Sequence, residues 1–357
     1  MKKTIFLFLI LLLFCNLSFS QLKFRSGTFF HHSTGLCIWG PNGSSTSIPA
    51  QMTLYNSVHG YTGTNAVTLN ELWFPPEDDN EWCRWHRIFE NQDTANIQPY
   101  YSANRVMVVK SCFPSSNVEA YGDPSDTLYP DYKTVLNYKW HWRHIIKVMR
   151  AHPQNFFAIW TNAPLVANQT NTQEAYWAHC FCKWAKDTLA NGLDPVTGSF
   201  PANVYVFDFF HKLVGSNYML PLSYATGADD SHPNAAATQL VAPQFVNEIF
   251  NASIYYETHY GISRISEIIP DKYALHQNYP NPFNSSTIIK FSIKNPGYTS
   301  LKIYDINGRE ISEPVNQNLK AGEYQILFDA DNLSSGVYFY KLSSSGFFQI
   351  KKLIVLK

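Results

Sequence analysis

The chain has 357 residues, a formal net charge of +0 and a charged fraction of only 15%. A protein without an excess of basic residues has no field that favours nucleic acid or an anionic membrane surface. We therefore expect neither as a partner. The length accommodates one sizeable α/β domain and a smaller second domain.

The first twenty residues have the pattern of a signal peptide. Lys2-Lys3 forms the positive end, Ile5–Cys15 is the apolar run, and Ser18–Ser20 precedes a cleavage point before Gln21. Lipidation at Cys15 is disfavoured because Leu13-Phe14 is bulkier than a lipoprotein cleavage site tolerates. No later stretch approaches the roughly 20 apolar residues of a membrane span. The sequence predicts a soluble, exported protein with residues 1–20 removed.

The mature chain keeps five cysteines, and their number limits what they can do. In an oxidising compartment one or two disulfides are plausible, and an odd count leaves at least one free thiol. The pairing stays open among Cys37, Cys83, Cys112, Cys180 and Cys182. The run His179–Cys182 is predicted to be helical, where residues two apart point to different sides. We therefore expect no metal site there, and no cofactor elsewhere.

Strand and helix patterns alternate over residues 21–257. Apolar runs predict buried strands, and apolar residues three and four apart predict amphipathic helices. The predicted strands are Phe29–His32, Arg105–Lys110, Phe156–Trp160 and Val204–Asp208, and the predicted helices cover 135–150, 171–191 and 235–250. This alternation predicts a three-layer α/β domain with a mostly parallel sheet and helices on both faces.

The composition changes after residue 257. We expect a linker over residues 258–272 and a small all-β, immunoglobulin-like sandwich over 273–357. Short alternating strands separated by turn residues are predicted at 288–293, 300–304, 324–329, 337–342 and 349–356.

Two distant stretches of the first domain predict one reactive site. Ser33 ends the first strand, at the sheet edge where open α/β sheets place their chemistry. A serine needs a histidine base, which is usually oriented by a carboxylate. The run Asp229-Asp230-Ser231-His232 supplies both.

The C-terminal domain closely resembles the sorting domain of type IX secretion cargo. The resemblance rests on three blocks: YALHQNYPNPFN from Tyr273, LKIYDINGR from Leu301 and LSSGVYFYK from Leu333. It implies recognition by the type IX secretion machinery and export through the periplasm of a Gram-negative bacterium. The destination would be the medium or the cell surface.

The first domain resembles SGNH (GDSL-like) hydrolases in the order of its elements. The family nucleophile directly follows the first strand in a Gly-Asp-Ser motif, which corresponds here to His31-His32-Ser33. The resemblance implies that Gly63 donates a backbone N–H to the oxyanion. Asn117 is the candidate for the side-chain donor, with Ser111 as the second choice.

The family's Asp-x-x-His block corresponds to Asp229 and His232, with Asp230 as an alternative carboxylate. The resemblance implies a serine esterase that removes acyl groups, above all acetyl groups, from carbohydrate or small esters. Aromatic residues make up 16% of the chain, and we expect most of them in the core, with a sugar-stacking surface as the less favoured alternative. The alternative is a non-catalytic carbohydrate-binding or surface protein on a degenerate scaffold. A metal-dependent hydrolase using His31, His32 and His232 is a third possibility, disfavoured because no ligand spacing supports it.

Overall fold

A computed structural model describes residues 23–40, 46–77, 81–259, 262–266, 268–284, 286–330 and 333–357. The signal peptide expected at residues 1–20 lies outside the described residues. None of the helices in the described ranges combines the length and apolar character needed to cross a membrane.

The first domain is built on a five-stranded parallel sheet with the order β2-β1-β3-β4-β5. Helices separate successive strands, and a short antiparallel pair, β6 and β7, precedes the last helix. In chain order the elements are β1 (Ser26–His31), α1 (Ser33–Trp39), α2 (Ile48–His59), β2 (Thr68–Trp73), α3 (Trp82–Phe89), α4 (Gln98–Ala103), β3 (Val106–Val109), α5 (Val135–Arg150), β4 (Phe156–Trp160), α6 (Thr172–Lys183), β5 (Val204–Phe207), α7 (Phe209–Leu213), β6 (Ala225–Gly227), β7 (Asp230–Pro233) and α8 (Ala235–His259).

Both faces of this sheet are covered, because alternate strand residues enter two separate cores. Phe29 and Trp160 pack with α1, α2 and α8 on one face. Phe30 and Ile159 pack with α3, α5 and α6 on the other. Strands buried on both faces read as continuous apolar runs. The predicted α/β domain with a mostly parallel sheet and helices on both faces is confirmed.

The helix pattern was also informative in detail. The apolar spacing from Val135 to Met149 corresponds to α5, which spans Val135–Arg150. Asn171 caps α6, since its side-chain oxygen accepts hydrogen bonds from the N–H groups of Gln173 and Glu174. The cap satisfies backbone donors that have no partner inside the helix.

The second domain consists of two four-stranded antiparallel sheets, β8-β13-β10-β9 and β12-β11-β14-β15, around one apolar core. Several features differ from expectation. Helix α8 reaches His259 and β8 lies within the predicted linker, and strands β9 and β12 were not predicted. The strands are β8 (Ser263–Ser266), β9 (Ala274–Leu275), β10 (Ser286–Ile293), β11 (Gly297–Tyr304), β12 (Glu310–Leu319), β13 (Gly322–Asp329), β14 (Gly336–Ser344) and β15 (Phe347–Val355).

Candidate active site

The candidate site lies where β1 and β3 end side by side. Ser33 is the first residue of α1 and follows β1 after a single residue, His32, whose backbone is extended. Cys112 follows β3 by three residues. The Ser33 Oγ and Cys112 Sγ atoms lie 3.1 Å apart in a hydrogen bond. The order of strands therefore brings the predicted nucleophile to a thiol that sequence reasoning did not include.

Lys110 is fully buried directly beneath this pair. Its ammonium group contacts Thr34 Oγ1, donates to the Ser111 carbonyl at 2.7 Å, and lies 5.4 Å from the centre of the Phe209 ring. Burial lowers the pKa of Lys110 to about 8, although Cys112 and Cys37 act in the opposite direction. A buried lysine with so few partners makes this edge of the sheet electropositive.

The Cys112 thiol is held in polar surroundings although it is only 6% exposed. Burial raises its pKa, but the charge of Lys110 and hydrogen bonds from the Ser33 hydroxyl and the Thr34 and Phe113 backbones outweigh burial, so that the pKa is lowered. All five cysteines of the mature chain are free thiols in the structure. None of the disulfides considered plausible from the sequence is present.

His232 has its carboxylate partner two residues away, not three. Its Nδ1 lies 2.5 Å from Asp230 Oδ1, and its backbone N–H donates to the same oxygen at 3.0 Å. These two hydrogen bonds lower the pKa of Asp230. Residues two apart on a strand share a face, and both lie on β7. Asp229 instead accepts a hydrogen bond from Asn168 at 2.7 Å. The assignment of Asp229 as the orienting carboxylate is thus corrected to Asp230.

His232 reaches the Ser33 edge through neighbouring side chains. Strand β7 packs against helix α1, and the edge of the Phe113 ring meets the His232 ring with 4.6 Å between centroids. Phe113 directly follows Cys112 in the chain. Among the hydrogen bonds of the described residues, none joins Ser33 Oγ to His232 directly. Ser33 therefore contacts Cys112, whereas His232 contacts the next residue of the chain, Phe113.

Gly63 lies at the wrong end of the sheet to serve this site. It precedes β2, whose first residue, Thr68, pairs with Ser26 at the start of β1. Ser33 follows the other end of that strand of six residues, and a strand of this length spans about 20 Å. The expected oxyanion donation by Gly63 is therefore corrected.

The other two expected oxyanion donors differ in position. Ser111 lies beside Cys112, and its hydroxyl is buried without a hydrogen-bond partner. Asn117 is six residues farther along, where its side-chain nitrogen lies 3.4 Å from Glu119 Oε1 and its carbonyl accepts from Tyr138. The structure therefore favours Ser111, the second choice from the sequence, over Asn117.

His31 and His32 make structural contacts at the end of β1 beside Ser33. His32 Nε2 lies 2.7 Å from the Pro75 carbonyl, and its ring stacks on Trp73 with 4.5 Å between centroids. His31 is buried, with Nδ1 3.0 Å from the His32 carbonyl, and burial lowers its pKa to about 4. Within the described ranges, His31, His32 and His232 do not form a common set of metal ligands.

Gly35 has a packing role at the start of α1. A Cβ at this position would lie 2.4 Å from the Cβ of His31. The residue lies inside α1, so its lack of a side chain allows the first turn of the helix to contact the last residue of β1.

A second group of titratable side chains lies at the end of β5. Asp208 Oδ1 is 2.8 Å from His211 Nδ1, and His211 Nε2 is 2.9 Å from His179 Nδ1. The His179 ring stacks on Tyr218 with 4.0 Å between centroids. The His179 side chain therefore has the His211 and Tyr218 rings as its neighbours.

Sequence reasoning missed Lys110 and Cys112 as site residues. Their positions just after a predicted buried strand could have identified them. Both follow the apolar run of β3, at the same edge as Ser33. A lysine that ends a strand buried on both faces is rare unless it serves a local interaction. Candidates at such an edge are better sought after every neighbouring strand than from motif spacing.

Comparisons with known proteins bear mainly on the C-terminal domain. A search of curated proteins gives no match. Among solved structures, the chain is similar to the endo-β-1,4-mannanase from Thermotoga petrophila, with 9% identity over 86% of this chain and 60% of that chain and a TM-score of 0.20. It is also similar to an engineered protein, with 8% identity over 92% of this chain and 76% of that chain and a TM-score of 0.21. The chain thus spans less than two thirds of the mannanase, and at these TM-scores neither likeness carries an argument.

The family model of the secretion system C-terminal sorting domain matches residues 277–356. The match covers β10 to β15, with the segment that leads into them. The C-terminal domain of this chain is therefore a type IX sorting domain, which implies export to the medium or to the cell surface.

Proposed function

We propose that the first domain is a secreted serine esterase of the SGNH type. The observation that carries the proposal is a pair of contacts near the ends of β1 and β3: Ser33 meets Cys112, and His232, which is paired with Asp230, packs on Phe113. The strand order β2-β1-β3-β4-β5 is the flavodoxin-like one, in which ligands bind at the switch point between β1 and β3. Ser33 and Cys112 follow these two strands.

In this mechanism Asp230 holds the proton of His232 on Nδ1, which leaves Nε2 free to accept the Ser33 proton. Ser33 Oγ then attacks an ester carbonyl, and the protonated His232 returns the proton to the leaving alcohol. Water, deprotonated by His232, releases the acyl group in a second step. The mechanism requires His232 to form a hydrogen bond with Ser33 when substrate is bound, since such hydrogen bonds often tighten only in the complex.

Charge that develops on the carbonyl oxygen has two sources of stabilisation in this proposal. The Ser33 N–H and the Ser111 hydroxyl, which has no hydrogen-bond partner in the structure, are the donors. The ammonium of Lys110, buried behind Ser111, supplies positive charge in low-dielectric surroundings. Loss of one such donor typically costs about a hundredfold to a thousandfold in rate.

Acylated carbohydrate is the proposed substrate class, with acetyl as the acyl group. Export by the sorting domain places the protein where polysaccharides occur. Exposed aromatic rings that suit sugar stacking include Trp73, which is 41% exposed and packs on His32 beside Ser33.

The test uses the mature chain with 4-nitrophenyl acetate and with acetylated xylan. We expect hydrolysis by the wild type and a loss of about a thousandfold or more in Ser33→Ala and His232→Ala. Asp230→Asn and Asp229→Asn form a matched pair, of which only the former should lose activity. Full activity in Ser33→Ala would refute the serine mechanism. A folded but inactive wild type would favour the non-catalytic carbohydrate-binding protein.

A second candidate function, thiol-based acyl transfer, is favoured by the lowered pKa of Cys112 and its contact with Ser33. A thiolate is the reactive form of cysteine. The serine proposal predicts that Cys112→Ser retains most of the activity. If Cys112→Ser is inactive while Ser33→Ala is active, Cys112 is the nucleophile.

A further inference from the structure

A second constellation lies on the other side of the sheet, between α3 and α5. His86 lies on α3, and Glu90 is the first residue after that helix. His144 lies on α5, which packs against α3. One ligand atom from each of the three side chains lies within 4.8 Å of the other two. This is the one group of three or more such residues in the part of the chain that the structure describes.

The hydrogen bonds around His86 fix which of its nitrogens carries a proton. His141 Nε2 lies 2.8 Å from the Pro130 carbonyl, which can only accept, so the neutral His141 ring has its proton on Nε2. Its unprotonated Nδ1 therefore accepts from His86 Nδ1, which is 3.0 Å away. The proton of a neutral His86 is thus on Nδ1, and its Nε2 carries a free lone pair.

The same reasoning applies to His144. Its Nδ1 lies 2.9 Å from the Trp140 carbonyl, so that Nδ1 carries the proton and Nε2 is unprotonated. Each histidine therefore offers its Nε2 lone pair, and one nitrogen of each ring lies within 4.8 Å of a Glu90 carboxylate oxygen. Three acceptors without a cation or proton between them repel one another.

The separation between His86 and Glu90 fits a shared cation as well as a direct contact. His86 Nε2 and Glu90 Oε1 are 3.2 Å apart, and their geometry falls short of a well-aligned hydrogen bond. Two ligands about 2.0–2.1 Å from a zinc ion at the tetrahedral angle lie about 3.3 Å apart. The observed separation is that of two ligands of one ion.

We propose that His86, Glu90 and His144 bind one divalent transition-metal ion, of which Zn²⁺ is the best match. Two imidazoles with one carboxylate are a common zinc ligand set. Glu90 and His144 are half-buried, which leaves a fourth position to water. His141 and the Pro130 carbonyl act behind His86 as the outer partners that orient a metal-binding histidine. The ion would tie α3 to α5, and the proposal does not depend on the esterase activity.

The matched variants are His144→Gln and His59→Gln. His59 has the same local setting, because its Nδ1 lies 2.9 Å from the carbonyl four residues earlier and its ring packs on the Tyr55 ring. His59 nevertheless belongs to no such ligand group among the described residues. Trp140 is a built-in probe, since its ring lies 4.7 Å from that of His86 and 4.6 Å from that of His144.

The experiment uses the mature chain without a polyhistidine tag. Zinc content after dialysis is measured by mass spectrometry, and Co²⁺ binding is followed by its visible absorption and by quenching of tryptophan fluorescence. We expect His144→Gln to bind one equivalent of metal fewer than the wild type, with affinity at the site lowered at least about tenfold, and His59→Gln to match the wild type. A wild type that binds neither ion, or equal binding by His144→Gln, would overturn the proposal.

Discussion

Lys110 gives the sharpest test of the electrostatics at the proposed site. Burial lowers its pKa from the usual 10.5 to about 8. A tenfold change in proton affinity is worth about 1.4 kcal/mol, so the charged form is destabilised by about 3 kcal/mol in the folded protein. Between these two pKa values the unfolded chain binds more protons than the folded chain. The free energy of unfolding must therefore rise with pH across this window.

Lys110→Met removes this dependence while keeping most of the side-chain volume. The free energy of unfolding of the wild type minus that of the variant should increase by about 3 kcal/mol from about pH 7.5 to about pH 10.5. The variant also loses the contacts with Thr34 and Ser111, but this changes the stability difference by the same amount at both pH values and leaves the predicted increase unaffected. Urea unfolding followed by tryptophan fluorescence gives the measurement, because all nine tryptophans lie between Trp39 and Trp184 in the first domain.

Cys112 is a titratable neighbour of Lys110, and the charge of Lys110 helps to lower the pKa of its thiol, so the comparison is repeated in a Cys112→Ser background. A difference that stays constant with pH in both backgrounds would show that Lys110 is not desolvated as the structure indicates. A difference that falls with pH would mean that Lys110 is stabilised in its charged form.

Four further predictions follow from contacts elsewhere in the first domain. Burial lowers the pKa of His31 to about 4, so the unfolded chain takes up the proton first as the pH falls. Urea unfolding should therefore show that the wild type loses about 3 kcal/mol of unfolding free energy from pH 6.5 to pH 4 relative to His31→Gln. Asp194→Asn should lower the free energy of unfolding by about 2 kcal/mol at neutral pH, because Asp194 accepts two hydrogen bonds from Arg143, at 2.7 and 3.0 Å. The paired arginine and Thr197 outweigh burial and hold the pKa of Asp194 below its usual range. The loss of stability in the variant should therefore shrink as the pH falls below about 4. Gly35→Ala should lower stability by about 1–3 kcal/mol, because its Cβ would meet His31, and thermal unfolding would show a lower Tm. Gly63→Ala should leave esterase activity unchanged, with a stability cost of about 1 kcal/mol from its positive φ of 54°; a large loss of rate would restore Gly63 to the site.

The architecture could be predicted because burial on both sheet faces leaves a direct signal in the sequence. The runs of β3 and β4 are apolar throughout, and α5 repeats its apolar residues at helical spacing. Strand β12 gave no such signal, because Glu310–Leu319 is mostly polar and half-buried. Alternation is weak where neither face of a strand is fully buried.

The site could be predicted only in part, since its geometry depends on where each strand begins and ends. The choice between Asp229 and Asp230 required knowing that residues 230–233 form a strand, because only then do Asp230 and His232 share a face. Gly63 was assigned by its order in the chain, whereas its position at the start of β2 depends on the register with β1. Cys112 meets Ser33 through pairing of strands whose contacting residues are 79 apart.

The cost of burying Lys110 is itself an argument for a role in the site. A methionine of similar volume would avoid the desolvation that lowers the pKa of Lys110 to about 8. Strained or destabilising groups persist where activity needs them. If the ammonium stabilises the oxyanion, Lys110→Met should keep the fold yet lose about a hundredfold in kcat, and the wild-type rate should decline as the pH rises through about 8. Full activity in the variant, with an unchanged pH profile, would show that the lysine serves the structure alone.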